Sequence, residues 1–301
     1  MPPTDPTEAE TQGALATTGA ADLLADTSLS ADPAVSGRYH SAIPVAWQIR
    51  YAFGGVTMMT ALRAAEAELG RPDLRPLTAS ALFCAPVPCG PVVTDATVLR
   101  NGRTAAQVAS DLRVPGSDGV ALRLQANFAS DHGDMYDFTD VGFPDGVADP
   151  DAYDPPPPPP EDAPFQVNYH DQTEWRFVTG NRPWDGGFEA GPARALSWHR
   201  LLCEPRHDDG RYELSALCVP GDILGSAVGQ ALGPRAGHFF VLSLEIAIRF
   251  VAPPVGPWIL QDARADHSSG GYATGTSFLW DTDQRLVAIA TQTAYLKPFT
   301  E

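Results

Sequence analysis

The sequence predicts an α+β protein built from two copies of one unit, each a long helix packed against an antiparallel β-sheet. The main observation is an internal repeat. Each half has an apolar helix opened by glycine, followed by a strand that ends in phenylalanine, Phe83 or Phe250. Each phenylalanine precedes an Ala-Pro pair and then a Gly-Pro pair, Gly90-Pro91 or Gly256-Pro257. Landmarks repeated in this order indicate a duplicated unit.

The strands are predicted from alternation of side-chain character. In residues 271–280, Tyr272, Thr274, Thr276 and Phe278 alternate with small residues. Half-buried strands of this kind, joined by tight turns, are typical of antiparallel sheets. The long helix of each half can then bury its apolar surface against its sheet. We expect the two sheets to join into one.

The helix of the second half is predicted within "VPGDILGSAVGQALGP", residues 219–234, because its apolar residues recur at helical spacing. Asp222 stands at the start of this helix, just after a Pro-Gly pair. Aspartate is a favoured N-cap, since its carboxylate accepts backbone N–H groups of the first turn. The position alone leaves open whether Asp222 is only a cap.

Four segments are predicted along the chain. Residues 1–20 form a flexible tail, 21–130 the first unit, 131–165 a linker and 166–301 the second unit. The linker is acidic and contains six consecutive prolines, Pro155–Pro160, which favour polyproline II. We expect it to lie on the surface, to lack helix and strand, and to tolerate shortening.

Composition excludes several classes of protein. The chain has 301 residues, 44% of them hydrophobic, and a formal charge of −17, which argues against nucleic acid or an anionic membrane as the main partner. No segment approaches the roughly 20 apolar residues that span a bilayer. The N-terminal residues do not resemble a signal peptide. The four cysteines form no C-x-x-C pair, so we expect free thiols, no metal site and a cytoplasmic location.

Taken in order, the motifs resemble those of the acyl-CoA thioesterase II family, whose fold is a double hotdog. In the first half they are Phe53-Gly54-Gly55, "ALRAAEAELG", "F-x-A-P-V-x-x-G-P-V" and "LRNGRTAAQV". In the second half they are Asp222, "SLEIAIRF-x-A-P-P" and "LVAIATQTAYLKP". The resemblance covers about residues 35–130 and 166–301. It implies two hotdog units, each a central helix wrapped by an antiparallel sheet.

The resemblance also implies a catalytic set of an Asp, a Ser or Thr, and a Gln, all from the second unit. The matching residues are Asp222 at the helix start, Ser243 in "LSLE" and Gln292 in "ATQTA". The first half lacks this set, and one site per chain is therefore expected. The nearest residues there are Phe53 before the glycines, Ala79 or Ser80 for the serine, and Asn127 for the glutamine.

Thioester hydrolysis needs a positioned water, a proton acceptor and donors for the developing oxyanion. An ionised Asp can take the proton, and a Ser hydroxyl and a Gln amide can orient the water. The first turn of a helix adds free N–H groups and the positive end of the dipole. The small residues Gly221, Gly225 and Ser226 allow close approach of the thioester to the backbone. The residues predicted to bind substrate are Gly54, Gly55, Gly225 and Ser226.

Further residues are candidates for supporting roles. Glu245 alternates with Ser243, so both are expected on one side of the sheet. His238 and His267 are expected near the mouth of the site, as polar residues rather than bases. Candidates for the acyl tunnel are Met58, Met59, Leu62, Phe239 and Phe240, and candidates for binding the coenzyme A phosphates are Arg100, Arg103, Arg235, Arg249 and Lys297.

Other catalytic classes fit poorly. The sequence has no G-x-S-x-G elbow, no H-E-x-x-H motif and no phosphate-binding glycine motif. The leading prediction is an acyl-CoA thioesterase that needs no cofactor, releases free acid and coenzyme A, and forms a homodimer through exposed sheet edges. The alternative is a non-catalytic protein of the same fold that binds acyl-CoA or acyl chains.

Overall fold

The computed structural model describes residues 20–133, 136–158, 167–182 and 188–299. The predicted tail therefore lies outside the described residues except for Ala20. The helices are α1 Leu23–Asp26, α2 Gly54–Leu69, α3 Cys218–Gly221 and α4 Leu224–Leu232, with short 3-10 turns at Val45–Trp47, Pro150–Ala152, Asn168–Gln172, Leu214–Leu217 and Gly233–His238. The strands are β1 Ser30–Ala31, β2 Arg38–Ile43, β3 Arg75–Phe83, β4 Gly90–Asn101, β5 Ala105–Arg113, β6 Leu122–Ala129, β7 Thr173–Thr179, β8 Arg194–Leu201, β9 Phe239–Phe250, β10 Ile259–Ser269, β11 Tyr272–Trp280 and β12 Leu286–Pro298.

All twelve strands belong to one antiparallel sheet, in the order β1-β2-β4-β5-β6-β3-β9-β12-β11-β10-β8-β7. The strands of the two halves meet at β3 and β9, which pair from Thr78 with Arg249 to Leu82 with Glu245. The predicted α+β class and the continuous sheet are confirmed. Both halves therefore share one hydrogen-bonded framework, and their helices can be held at fixed positions relative to each other.

Helix α2 is the central helix of the first half. It is buried on almost every side, as expected for a helix wrapped by a sheet rather than lying on a surface. It ends at Gly70, whose φ of 61° is the left-handed conformation that glycine adopts most easily. At its start, Phe53 provides no side-chain cap. No helix within the described ranges is long and apolar enough to cross a membrane.

The predicted helix over residues 219–234 is interrupted in the structure. Asp222 and Ile223 are non-helical, with φ, ψ of −90°, 72° and −131°, 0°, and they separate α3 from α4. The prediction that Asp222 caps its own helix is wrong, because α4 has no side-chain cap at its N-cap residue. The carboxylate is turned away from α4 and bonds to other donors, which are described below.

A β-bulge changes the direction of side chains in β9. Glu245 pairs with Thr293 of β12, whereas Ser243 pairs with the next residue, Ala294, so Leu244 is the extra residue. Paired residues point to the same face of a sheet. Ser243 consequently faces inward with Ala294, while Glu245 is exposed on the outer face. The prediction that Ser243 and Glu245 share a face is wrong for this reason.

The described part of the linker is more ordered than the sequence predicts. Phe143 packs against Trp198 and Trp280, with ring centroids 6.4 and 5.7 Å apart. The indole N–H of Trp198 donates to the carbonyl of Ala148 at 3.0 Å, and a 3-10 turn follows at Pro150–Ala152. Aromatic burial holds this stretch on the second half. Residues 159–166 lie outside the described residues.

Candidate active site

The three side chains predicted for catalysis meet in the structure. Oδ1 of Asp222 accepts hydrogen bonds from Nε2 of Gln292 at 2.7 Å and from Oγ of Ser243 at 3.1 Å. The same Gln292 amide also donates to Oγ of Ser243 at 2.7 Å. Each of the three residues therefore contacts the other two, and their mutual geometry is fixed by a closed set of hydrogen bonds.

Different elements place each member of this set. Asp222 lies in the break between α3 and α4, and the bulge at Leu244 accompanies the inward placement of Ser243. Gln292 is buried on the inner face of β12, where its carbonyl oxygen accepts the N–H of Leu224 at 3.1 Å. Gln292 thus performs the capping of α4 that was predicted for Asp222.

Asp222 instead caps the helix of the other half. Its Oδ2 accepts the backbone N–H of Gly55 in α2 at 3.0 Å. The approach requires glycine: a Cβ at Gly54 would lie 2.4 Å from this oxygen, and a Cβ at Gly55 would lie 2.5 Å from the carbonyl oxygen of Cys218. The site is therefore shared between the two halves of the chain.

The environment of Asp222 makes it a carboxylate that can exchange protons near neutral pH. Burial raises its pKa to about 6, while hydrogen bonds from Ser243, Gln292 and Gly55 act in the opposite direction. The carboxylate is therefore mainly ionised at pH 7 and still basic enough to accept a proton.

The first N–H group of α2 is available beside this carboxylate. Among the described residues, no acceptor contacts the N–H of Gly54, and Gly54 lines the adjoining cavity. The N-terminus of a sixteen-residue helix carries a partial positive charge. The position suits an oxygen atom on which negative charge develops.

A cavity of about 970 Å³ opens over this set. Six of the seven predicted site residues line it, and Gly55 lies behind the wall, where it holds Asp222. The lining residues among those predictions are Asp222, Ser243, Gln292, Gly54, Gly225 and Ser226. The volume is that of a site for a sizeable organic ligand.

The supporting residues lie only partly where the predictions place them. Phe239 and Phe240 line the cavity as expected, but Met58, Met59 and Leu62 are fully buried in the core around α2. None of the five basic residues predicted for the phosphates lines the cavity, and neither do His238 and His267. The arginines in its wall are Arg50, Arg176 and Arg182.

The sequence does not reveal that Tyr169 and His199 form a buried pair of rings beside the site. Tyr169 lines the cavity, its hydroxyl lies 2.8 Å from Nε2 of His199, and its ring centroid lies 4.4 Å from that of Phe53. Burial lowers the pKa of His199 to about 3, so the imidazole is neutral. The sequence around Tyr169, "VNYHDQ", follows the linker and carries no periodic pattern that marks these side chains as buried.

Strand register identifies the counterparts of the site in the first half. Phe83 pairs with Leu122 as Phe250 pairs with Ala288, and both β3 and β9 carry a bulge six residues before their phenylalanine. Counting along the strands from these pairs gives the residue at each equivalent position. The two halves can then be compared without relying on sequence similarity.

Pro76 is equivalent to Ser243, and Ala126 is equivalent to Gln292. The prediction of Ala79 or Ser80 near the serine position is therefore wrong by register, whereas Asn127 is adjacent to the glutamine position without occupying it. Asn127 lies one position further on and donates to Oγ1 of Thr78 at 2.8 Å on the opposite face. Proline and alanine side chains offer no hydrogen bonds, so the first half has no equivalent set.

Two family models match the chain. The acyl-CoA thioesterase N-terminal domain matches residues 43–129, and the acyl-CoA thioesterase C-terminal domain matches residues 150–296. The fold and the matches define a double hotdog thioester hydrolase, and the chain belongs to the acyl-CoA thioesterase family. No curated protein matches the sequence.

Solved structures share the architecture. A hot dog fold protein from Alicyclobacillus acidocaldarius is 23% identical with a TM-score of 0.75, over 91% of this chain and 97% of that one. A protein from Novosphingobium aromaticivorans, described as a thioesterase, is 26% identical with a TM-score of 0.69, over 89% and 100%. An acyl-CoA thioesterase II from Mycobacterium marinum is 17% identical with a TM-score of 0.69, over 92% and 99%.

Proposed function

We propose that this chain hydrolyses an acyl-CoA thioester to a free acid and coenzyme A, with Asp222 as the general base. The observation that supports this role is the closed set of Asp222, Ser243 and Gln292 at a cavity wall, next to the start of α2. A carboxylate with a pKa of about 6, two orienting side chains and a free helix N–H are the groups that thioester hydrolysis requires.

In the proposed reaction, a water molecule lies between Asp222 and the thioester and is oriented by Ser243 and Gln292. Its oxygen attacks the carbonyl carbon while its proton passes to the carboxylate of Asp222. The N–H of Gly54 donates to the carbonyl oxygen, which carries the developing negative charge. The carbon–sulfur bond then breaks, and the proton on Asp222 passes to the leaving thiolate, which regenerates the carboxylate.

The decisive experiment compares thiol release from acyl-CoA by the parent and by Asp222→Asn. Loss of a general base costs on the order of 10²-fold or more in rate, so we expect at least that decrease at pH 7.5. The matched control is Asp118→Asn, a change of an exposed turn residue, which should leave the rate unaltered. Full activity in Asp222→Asn with the same melting temperature would disprove the role.

Location and assembly are further parts of the proposal. The four cysteines are free thiols, which supports a cytoplasmic location. The sheet ends at β1 and β7, and the unpaired side of the seven-residue strand β7 supports association into a homodimer. Light scattering at micromolar concentration measures this directly, and a monomer mass would refute the dimer.

A further inference from the structure

The cavity extends from Asp222 in two directions. The region that we call the α4 arm lies between α4 and the first residues of β9. It is bounded by Gly225, Gly229 and Leu232 on the helix and by Phe239 and Phe240 on the strand. The region that we call the α2 arm adjoins Oδ2 of Asp222, which faces the start of α2, and is lined by the segments 49–54 and 83–87. The two arms differ in chemistry.

The α4 arm begins at the catalytic set and leads away from it. Helix α4 starts two residues after Asp222, at Leu224, and β9 returns to Asp222 at Ser243, so the two elements enclose the arm from both sides. Gly225 lies near the inner end, where Val241 would be 3.6 Å from an added Cβ. Gly229 lies about 6 Å further along the helix axis, at a rise of about 1.5 Å per residue.

The wall of the α4 arm is mainly apolar and only partly covered by protein. Leu232, Phe239, Phe240, Val241 and Leu242 all line the cavity and all remain partly accessible. The polar group nearest the far end is already satisfied: the Gln230 amide accepts the N–H of Asn181 at 2.9 Å and donates to its carbonyl at 2.8 Å. Arg182, next to Asn181, also lines the cavity, and its guanidinium group donates to the carbonyl of Pro157. The apolar residues of α4 and β9 suit a hydrocarbon chain.

The rim of the α2 arm is charged, whereas the wall of the α4 arm is mainly apolar. Arg50 is exposed there, and within the described ranges no acceptor contacts its guanidinium group. By contrast, Arg176 in the cavity wall is bound to Glu174. Besides Asp222, two carboxylates are in the lining: Glu174, which Arg176 and Arg200 bind, and Asp171. In a chain with a formal charge of −17, an uncompensated arginine at a cavity rim is a suitable contact for an anion.

We propose that the cavity orients its substrate: the acyl chain lies along the α4 arm over Gly225 and Gly229, and the coenzyme leaves past Arg50. The proposal rests on the proposed function, and it assigns Gly229 as the residue that limits chain length. An added Cβ at Gly229 meets only Ala236, at 3.9 Å, which is ordinary contact. A larger side chain can therefore occupy the arm without displacing the backbone.

The test is calorimetric binding of non-hydrolysable S-butyl-CoA and S-dodecyl-CoA thioethers to the parent and to Gly229→Leu. Leucine is a better helix former than glycine, so the variant should fold. We expect dodecyl binding to weaken by about 10-fold or more and butyl binding to change by less than about two-fold. Gly229→Ala, which adds one methyl group, should give a smaller change in the same direction.

The control is Ala67→Leu, an exposed position on α2 that does not line the cavity, which should alter neither affinity. Equal weakening of both thioethers by Gly229→Leu, or no weakening of either, would overturn the assignment. Because binding is measured without turnover, these results stand whether or not the parent releases thiol. Length-dependent binding without thiol release would remove the proposed function and leave the orientation intact.

The variant Arg50→Gln tests the proposed placement of the coenzyme at the α2 arm. It should weaken both CoA thioethers to the same extent, by several-fold, and leave S-dodecyl-pantetheine, which lacks phosphates, unaffected. An equal loss for the pantetheine compound, or unchanged affinity for both CoA compounds, would overturn the placement of the coenzyme.

Discussion

At the scale of single residues, the pKa of Asp222 predicts the pH dependence of the reaction. In the proposed mechanism Asp222 must be ionised to accept a proton, and burial raises its pKa to about 6. We therefore expect kcat/KM for acyl-CoA to rise about tenfold per pH unit below pH 6 and to level off above it. A profile that stays flat from pH 5 to pH 8 would exclude Asp222 as the titrating group.

The same shift predicts how stability changes with pH. The pKa of Asp222 is raised from 3.8 to about 6, so the folded state favours the protonated form. Stability from this group is complete below about pH 4 and is lost as the pH rises to about 6. Because the side chain is partly accessible, we expect the free energy of unfolding to fall by about 2 kcal/mol, which is less than the whole pKa shift would give in a fully buried group.

The measurement is the free energy of unfolding of the parent minus that of Asp222→Asn, from urea titrations at pH 4 and pH 7. Asparagine does not titrate, so the difference isolates this carboxylate from the other acids. It should become less favourable to the parent as the pH rises. If the difference instead grows in favour of the parent as the pH rises, the pKa of Asp222 is lowered in the folded state and not raised.

Residue patterns predicted this site only in part. The order Asp, Ser, Gln could be matched to a known family, and the structure brings Asp222, Ser243 and Gln292 together. The partner of Asp222 could not be predicted, because Gly55 lies 167 residues away and no local pattern links them. Tyr169 and His199 were missed for the same reason, since their burial depends on packing between distant segments.

At the scale of elements, the described linker is predicted to contribute to stability through Phe143. Its ring packs on Trp198 and Trp280, so Phe143→Ala should lower the free energy of unfolding by about 2 kcal/mol, less than for a fully buried phenylalanine. Phe138 is the matched control, since it lies in the same linker with 87% of its surface exposed. Equal effects of the two substitutions on the urea midpoint would contradict this packing.

The positions of helices and strands were largely predictable, whereas their irregularities were not. Alternation predicts a strand through Ser243, but nothing in the alternation shows that Leu244 is an extra residue. The helix spacing of residues 219–234 likewise continues through Asp222, although the chain bends there. In both places long-range hydrogen bonds outweigh the local preference, and both places belong to the candidate site.

At the scale of the whole molecule, the two halves are equivalent in fold and unequal in chemistry. Pro76 and Ala126 stand where Ser243 and Gln292 stand in the second half. Calorimetry should therefore give one bound S-dodecyl-CoA per chain. A stoichiometry of two would show that the first half holds a site of its own.

The bond between Gly55 and Asp222 also bears on how the protein acquires activity during folding. It joins groups 167 residues apart, so the chain must close a very long loop before the bond can form. Local elements such as the hairpin of β10 and β11 can form much earlier, because their contacts are close in sequence. We therefore expect the candidate site to form late, when the halves have docked, so that a refolding chain regains its circular dichroism before its turnover.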